Sequence, residues 1–277
     1  MTDAKDYPLG YSEQEARRLA EQGALLEELT AAVFQRAGLR AGMRVLDIGC
    51  GVGDVSLLAA RLVGPQGAVL GIDRADSSVE TARKRANVLG VSHARFEQSD
   101  LDTFDTQQTF DALVGRLVLL YLPDPAATLK RLSRNLRPGG IIAFQEFDMS
   151  ATSQVPAGEL FLQVRKWLLQ AFAAAGAELD MGTKLFPTFL RAELPPPEMT
   201  AATPIACGPA SGGYGYVAAV LRSLLPLIER NGIATAAEID IDTLALRMRE
   251  DAIAHERIMF LPRVVGAWTA LPSARPA

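Results

Sequence analysis

The chain has 277 residues, and its hydrophobic fraction of 49% is enough to bury one sizeable core. A formal net charge of −4 and an isoelectric point near 5.4 exclude a broad basic surface of the kind that binds a nucleic-acid backbone. No apolar run approaches the length of about 20 residues that spans a bilayer and the polar N-terminus is unlike a signal peptide, so we expect a cytoplasmic protein without nucleic-acid or membrane partners.

The first predicted element is a helix over residues 12–37. Ser12 is a suitable N-cap, and Glu15 lies three residues later as its partner in a capping box. Apolar residues then recur near helical spacing at Leu19, Leu26, Leu29 and Val33.

A predicted strand, a glycine-rich turn and a second helix follow. The segment Arg44–Ile48 contains the short apolar run that is typical of a buried parallel strand. Gly49, Gly51 and Gly53 come next, and glycine lets the backbone take positive φ and lets a ligand approach the main chain closely. The turn leads into a helix N-terminus, where free N–H groups favour anionic groups. The pattern is one residue short of the dinucleotide motif G-x-G-x-x-G, because Asp54 holds the place of its last glycine.

This turn, with Asp47 two residues before its first glycine, resembles motif I of the class I S-adenosylmethionine (SAM) methyltransferases. The resemblance implies that SAM is the cofactor, that S-adenosylhomocysteine is the product, and that Asp47, Gly49 and Gly51 contact the cofactor. It also implies an α/β fold with a doubly wound, mostly parallel, seven-stranded Rossmann-like sheet and helical lid additions.

The next two predicted strands extend the resemblance. The second strand ends at Asp73, where a carboxylate can accept both ribose hydroxyls. Arg74 follows and either covers the adenine or is a solvated surface arginine. After a third strand over residues 94–100, Ser99-Asp100-Leu101 resembles the adenine-recognition corner of the family, which makes Asp100 and Leu101 candidate cofactor contacts.

A fourth strand is predicted over residues 110–114 and a fifth over residues 141–144. Arg116 lies where the fourth strand ends, at the carboxyl edge along which ligands bind in open α/β sheets. We expect Arg116 to pair with the cofactor carboxylate or to orient an acceptor, and the alternative is a surface ion pair.

A second resemblance concerns the N-terminus. Leu9–Ser12, then an acid, Arg18-Leu19 and Gln22 are similar to the start of a bacterial group of small-molecule methyltransferases. In relatives of that kind the N-terminal helix closes over the methionine end of the cofactor, which makes Tyr11 and Gln22 candidate lid residues. The alternatives are a packed aromatic ring and a surface glutamine.

The C-terminal half is predicted to be mainly helical, with helices over residues 156–175, 185–192, 217–231 and 239–257. Pro226 should kink the third of these or break it in two. A sixth strand is predicted over residues 199–207, and a last strand over residues 258–268 with an interruption at Pro262. The predicted domains are an N-terminal lid helix (1–37), a SAM-binding α/β core (38–148) and a helical cap and acceptor region that contributes the last two strands (149–277).

We expect a mainly apolar acceptor, because the predicted cap is rich in apolar and aromatic side chains, and ordinary core packing is the alternative for each of them. These residues are Trp167, Phe172, Leu185, Phe186, Tyr214 and Tyr216.

The chemistry predicted from the resemblance needs a nucleophilic O, N or C aligned with the cofactor methyl group. A general base is needed only where the acceptor carries its proton at neutral pH. Glu146 at the end of the fifth strand and His255 at the end of a cap helix are the candidates. For His255 the alternative is an interaction with the helix dipole. We predict no metal site, because no second acid and Asn accompany Asp148 in the sequence.

The sequence therefore predicts a SAM-dependent methyltransferase of secondary metabolism that acts on a small molecule, with homo-oligomerisation left open. Two alternatives remain: a cyclase that uses the sulfonium only as a fixed charge, and a non-catalytic SAM-binding module. Cys50 and Cys207 are expected to be reduced thiols, because two cysteines at this separation form no ligand cluster.

Overall fold

The computed structural model describes residues 13–273, apart from the side chains of residues 13–17, 20 and 21. Its α-helices are α1 Glu13–Arg36, α2 Asp54–Val63, α3 Asp76–Val88, α4 Pro125–Leu132, α5 Glu159–Ala174, α6 Met181–Arg191, α7 Gly213–Arg230, α8 Ala236–Ile239 and α9 Leu244–Ala254. Its strands are β1 Arg44–Ile48, β2 Ala68–Asp73, β3 Ala94–Gln98, β4 Phe110–Arg116, β5 Leu136–Asp148, β6 Ser153–Val155, β7 Glu198–Ala202, β8 Ile205–Ala206, β9 Ile258–Phe260 and β10 Arg263–Ala270.

Seven of these strands form one sheet in the order β3-β2-β1-β4-β5-β10-β7. The strand β1 pairs in parallel with β2 and β4, β2 pairs in parallel with β3, and β4 pairs in parallel with β5. The strand order reverses between β1 and β4, and open α/β sheets bind ligands at the carboxyl ends of the strands beside such a reversal. The predicted doubly wound, mostly parallel Rossmann-like sheet is confirmed.

The core of this sheet lies at its centre, where Val45, Leu46 and Ile48 of β1 are at most 1% exposed. The helix α1 adds Val33 and Phe34 to the same core, as its apolar spacing predicts. It packs closely against β10, because a Cβ atom at Gly266 would lie 2.4 Å from Cγ2 of Val33.

The chain divides into two compact units. The sheet unit contains Gln22–Glu146, Met181–Ala201 and the residues from Val265 onward. The helical unit contains Phe147–Asp180, Ala202–Val264 and the part of α1 before Gln22. Within it lies a second, antiparallel sheet in the order β6-β9-β8.

Two strand predictions were wrong in the same way, because each predicted strand is two strands in different sheets. Residues 199–207 form β7 of the large sheet and β8 of the small one, with Pro204 between them. Residues 258–268 form β9 of the small sheet and most of β10 of the large one, with Pro262 between them. Proline has no N–H to donate to a ladder, so each proline ends one pairing before the chain enters the other sheet.

Two helix predictions also need correction. The helix predicted over residues 239–257 is shorter than predicted, because α9 runs only from Leu244 to Ala254. The chain before it leaves α8 at Ile239, and Asp240 takes a left-handed conformation with φ 46°. Of the two outcomes predicted for Pro226, the break does not occur, since α7 runs from Gly213 to Arg230 as one helix, and the kink stays a prediction. Among the helices of residues 13–273, none is both long and apolar enough to cross a membrane.

Candidate functional site

The glycine turn joins β1 to α2 at the carboxyl end of the sheet. Gly49, Gly51 and Gly53 have φ angles of 64°, 53° and 91°, which are left-handed conformations that side chains with a Cβ atom disfavour. The turn is anchored by Cys50, whose N–H donates to the carbonyl of Ile72 at 3.0 Å, next to the end of β2.

The three glycines have different surroundings. A Cβ atom at Gly49 would lie 2.4 Å from Cγ2 of Val118, and one at Gly53 would lie 3.0 Å from Cβ of Ala82. A Cβ atom at Gly51 would have no protein atom within 4 Å. Gly49 and Gly53 are therefore needed for packing inside the protein, whereas Gly51 leaves backbone open to a ligand.

Asp73 lies beside this open backbone. Its Oδ2 accepts the Gly51 N–H at 2.9 Å, and its Oδ1 accepts the Ala75 N–H at 2.9 Å. Each carboxylate oxygen has two lone pairs, so both can still accept a ligand hydroxyl. The predicted ribose acid thus also holds the glycine turn in place, which the sequence did not indicate.

Asp47 is fully buried under the turn. Ser56 Oγ donates to its Oδ2 at 2.5 Å, while its Oδ1 has no hydrogen-bond partner among the residues described. Burial raises the pKa of Asp47 to about 7, although the hydrogen bond from Ser56 and the positive charge of Arg116 favour the ionised form. A cationic or hydrogen-bond-donating ligand group would satisfy the remaining oxygen.

Arg85 of α3 fixes the far side of the turn. Its guanidinium donates to the Val52 carbonyl and to Oδ1 of Asp54, both at 2.7 Å. Asp54 lies against α1, where a Cβ atom at Gly23 would be 2.6 Å from its Cγ. The aspartate that replaces the last glycine of the dinucleotide motif therefore links the turn to α3 through Arg85 and packs against α1.

Arg116 lies at the end of β4, half-buried, and its Nη1 donates to Oγ1 of Thr30 at 3.0 Å. Thr30 Oγ1 also lies 2.7 Å from Oε1 of Gln145 and 2.9 Å from the carbonyl of Leu26. Thr30 and Gln145 are both buried. Together these contacts tie α1 to the carboxyl ends of β4 and β5.

The predicted adenine residues lie beside the end of β2. The Ser99 N–H donates to the Asp73 carbonyl at 2.9 Å. Asp100, the residue after Ser99, therefore lies close to Asp73, the predicted ribose acid. Asp100 is exposed, and its Oδ1 accepts the Asp102 N–H at 2.8 Å. Leu101 is half-buried, and its carbonyl accepts from Arg131. Arg74 is exposed, and its carbonyl accepts from Gln98 at 3.1 Å.

The two predicted bases have opposite environments. Glu146 is completely buried in the sheet unit, where its Oε1 accepts the N–H groups of Val118 at 3.0 Å and Leu119 at 2.8 Å. Burial raises its pKa to about 8, against the opposing effect of these hydrogen bonds. His255 of the helical unit is exposed, and its Nδ1 lies 2.9 Å from the carbonyl of Asp251, one turn back in α9.

Of the two predicted N-terminal lid residues, the structure describes one. Tyr11 lies outside the described residues, whereas Gln22 is buried on α1. The role of either residue in closing over a cofactor stays a prediction.

Four residues of this site were missed in the sequence: Thr30, Ser56, Arg85 and Gln145. None belongs to a motif. Ser56 bonds Asp47 nine positions away, whereas the partners of the other three in this site are at least 31 positions away. Thr30 and Gln145, for example, are 115 positions apart.

Comparison with known proteins gives a family match over the part of the chain that carries the site. Residues 39–180, slightly more than half of the chain, match a family model described as a methyltransferase domain.

Two curated relatives and one solved structure show how far the likeness extends. Trans-aconitate 2-methyltransferase of Methylobacterium nodulans is 40% identical over 116 residues, which are 42% of this chain and 42% of that protein. Aklanonic acid methyltransferase DauC of Streptomyces sp. is 34% identical over 143 residues, which are 48% of this chain and 65% of that protein. The chain thus spans less than two thirds of the length of either relative. The YcgJ protein of Bacillus subtilis shares the fold with a TM-score of 0.58 at 17% identity, covering 89% of this chain and all of that one.

Proposed function

Because the family match shows that the chain belongs to the class I SAM-dependent methyltransferases, we propose that it transfers a methyl group from SAM to a small-molecule acceptor. The family membership predicted from the glycine turn is thereby confirmed. The acceptor and the role of each residue rest on the geometry of the site.

One observation carries the proposal, namely the open backbone at Gly51 beside the carboxylate of Asp73 in the turn after β1. The left-handed conformation, the hydrogen bond from its N–H to Asp73 and the empty space where a Cβ atom would lie suit a ligand packed on the main chain. Two acids of the site are candidates to bind the polar groups of SAM. Asp73 can accept ribose hydroxyls, and the unpartnered oxygen of buried Asp47 can accept from a positively charged group.

The bound cofactor supplies a methyl group made electrophilic by its sulfonium. The task of the protein is to hold the acceptor in line with that group and to exclude water. We assign Arg116 to the cofactor carboxylate or to the acceptor, because its guanidinium is held at the carboxyl end of β4. Where the acceptor keeps its proton at neutral pH, Glu146 and His255 stay the predicted bases.

We propose a mainly apolar acceptor from secondary metabolism. Of the side chains that suggested it, Trp167, Phe172, Leu185 and Tyr214 are buried, Tyr216 is half-buried and Phe186 is exposed. Closure of the helical cap over the acceptor stays a prediction. The names of the two curated relatives include trans-aconitate and aklanonic acid, so both compounds are tested as acceptors. Trans-aconitate is a tricarboxylate, and its conversion in preference to apolar compounds would contradict the proposed apolar acceptor.

The test is product analysis by mass spectrometry. Purified protein is incubated with SAM and each acceptor, and both S-adenosylhomocysteine and methylated acceptor are measured. We expect the two products in equal amounts and only when both substrates are present. Conversion of an acceptor with SAM left intact would support the cyclase alternative. SAM binding without conversion of any acceptor would support a binding module.

A further inference from the structure

The last residue of β4 and the three residues that follow it are linked to β5. Arg116 reaches Gln145 through Thr30, and the Leu117 N–H donates to the Gln145 carbonyl at 2.9 Å. The N–H groups of the next two residues, 118 and 119, both donate to Oε1 of one side chain, Glu146. The backbone there is strained, because Leu117 has a φ of 55°.

The Glu146 side chain is built for this contact. It is fully buried, so water cannot replace its carboxyl group as the acceptor of these two N–H groups. Its second oxygen, Oε2, is buried and has no hydrogen-bond partner among the residues described. Burying a carboxyl group with one oxygen unsatisfied lowers the stability of the fold, so we expect Glu146 to serve a function in the site that offsets this cost.

The held segment touches the glycine turn through Val118. A Cβ atom at Gly49 would lie 2.4 Å from Cγ2 and 2.9 Å from Cβ of this valine, so the valine side chain fills the space above Gly49. The N–H of the same valine is one of the two held by Glu146. A direct chain of contacts therefore runs from the end of β5, through Val118, to the first glycine of the turn.

We propose that Glu146 is a positioning residue: its buried carboxyl holds the segment after β4 so that Val118 packs against Gly49 and keeps the glycine turn in its SAM-binding conformation. The inference rests on the proposed function, and it gives Glu146 a role that needs no proton transfer from the acceptor. A role in proton transfer and a role in positioning predict different behaviour for the same substitutions.

The raised pKa of Glu146 agrees with this role, because a carboxyl group that keeps its proton near neutral pH adds no buried charge. A protonated carboxyl and a carboxamide have nearly the same shape, and both present a carbonyl oxygen to Val118 and Leu119. Glu146→Gln should therefore preserve the positioning, whereas Glu146→Leu keeps the approximate size but leaves both N–H groups without an acceptor.

The first experiment measures the binding of S-adenosylhomocysteine by calorimetry for wild type, Glu146→Gln and Glu146→Leu. We expect affinity within about threefold of wild type for the glutamine variant and a loss of about tenfold or more for the leucine variant, since two buried donors lose their acceptor. Wild-type affinity in the leucine variant would overturn the proposal. Loss of turnover in the glutamine variant at unchanged affinity would also overturn it, because that is the result expected of a base.

The second experiment uses Val118→Ala, which removes the packing on Gly49 and keeps the backbone N–H. If Glu146 acts through this valine, the variant Glu146→Leu/Val118→Ala should bind S-adenosylhomocysteine no more weakly than Glu146→Leu alone. Independent, additive losses would contradict the proposed chain of contacts.

Amide hydrogen exchange of unliganded protein provides a readout that does not depend on SAM. Exchange at residues 118 and 119 should be faster in Glu146→Leu than in Glu146→Gln. Equal exchange in the two variants would refute the positioning role. Absence of SAM binding by wild type would instead refute the proposed function, and the exchange result would still stand.

Discussion

Alanine at Gly51 should separate ligand binding from folding, because the space beyond this residue is empty in the protein. Alanine in a left-handed conformation costs about 1–2 kcal/mol, so we expect the free energy of unfolding to fall by about this amount. The added methyl group would meet no protein atom within 4 Å. It would occupy space that we assign to the cofactor, and we expect affinity for S-adenosylhomocysteine to fall at least tenfold, or about 1.4 kcal/mol.

A matched control is available at Gly90, which follows α3 with a φ of 67° and where a Cβ atom would likewise have no protein atom within 4 Å. Gly90→Ala should lose a similar free energy of unfolding and keep wild-type affinity. Gly49 is unsuitable for this comparison, since a Cβ atom there would clash with Val118. Titration calorimetry and chemical denaturation measure the two quantities. Unchanged affinity in Gly51→Ala, or an equal loss in Gly90→Ala, would refute the placement of the cofactor.

Four further results are expected. Asp73→Ala should weaken S-adenosylhomocysteine binding by about 1.5–3 kcal/mol in calorimetry, because the ribose loses charge-assisted hydrogen bonds and the glycine turn loses its anchor; unaltered affinity would remove this acid from the site. Arg85→Met should weaken the same binding by about 1–2 kcal/mol, since the turn loses its hydrogen bonds to α3. The control Arg83→Met removes hydrogen bonds from the same helix to a β3 carbonyl and should leave binding unchanged. Folded Glu146 keeps its proton up to pH about 8, whereas the unfolded chain loses it near 4.5, so the free energy of unfolding of the wild type should fall as the pH rises between these values. The fall should exceed that of Glu146→Gln by up to about 1.4 kcal/mol per pH unit. Equal pH dependence of the two proteins in chemical denaturation would contradict this. Deletion of residues 1–12 should weaken cofactor binding without lowering the melting temperature if the segment is a lid, and full binding by the shortened protein would remove Tyr11 from the site.

The predicted acceptor-side position of Glu146 depends on where the fifth strand ends. Glu146 was expected to face the acceptor because it ends a predicted strand at the carboxyl edge. The structure continues β5 to Asp148, so the glutamate lies within the strand and is buried. Strand ends are the least certain part of a sequence prediction, and a shift of two residues decides whether a side chain lies at the edge or inside.

The sequence by itself determined the parallel strands, the glycine turn and its neighbouring acids. Apolar runs indicate burial, and glycines indicate backbone conformations that other residues disfavour. Both signals can be read from a few consecutive residues. Only the tertiary structure decided which side chains meet: Arg85 with Asp54, Thr30 with Arg116 at a separation of 86 residues, and Glu146 with the segment after β4. The same holds for the small sheet, in which β6 pairs with β9 about a hundred residues later. Such contacts depend on how helices and strands pack in space, and a hydrogen-bonding side chain carries no mark of its distant partner in the sequence.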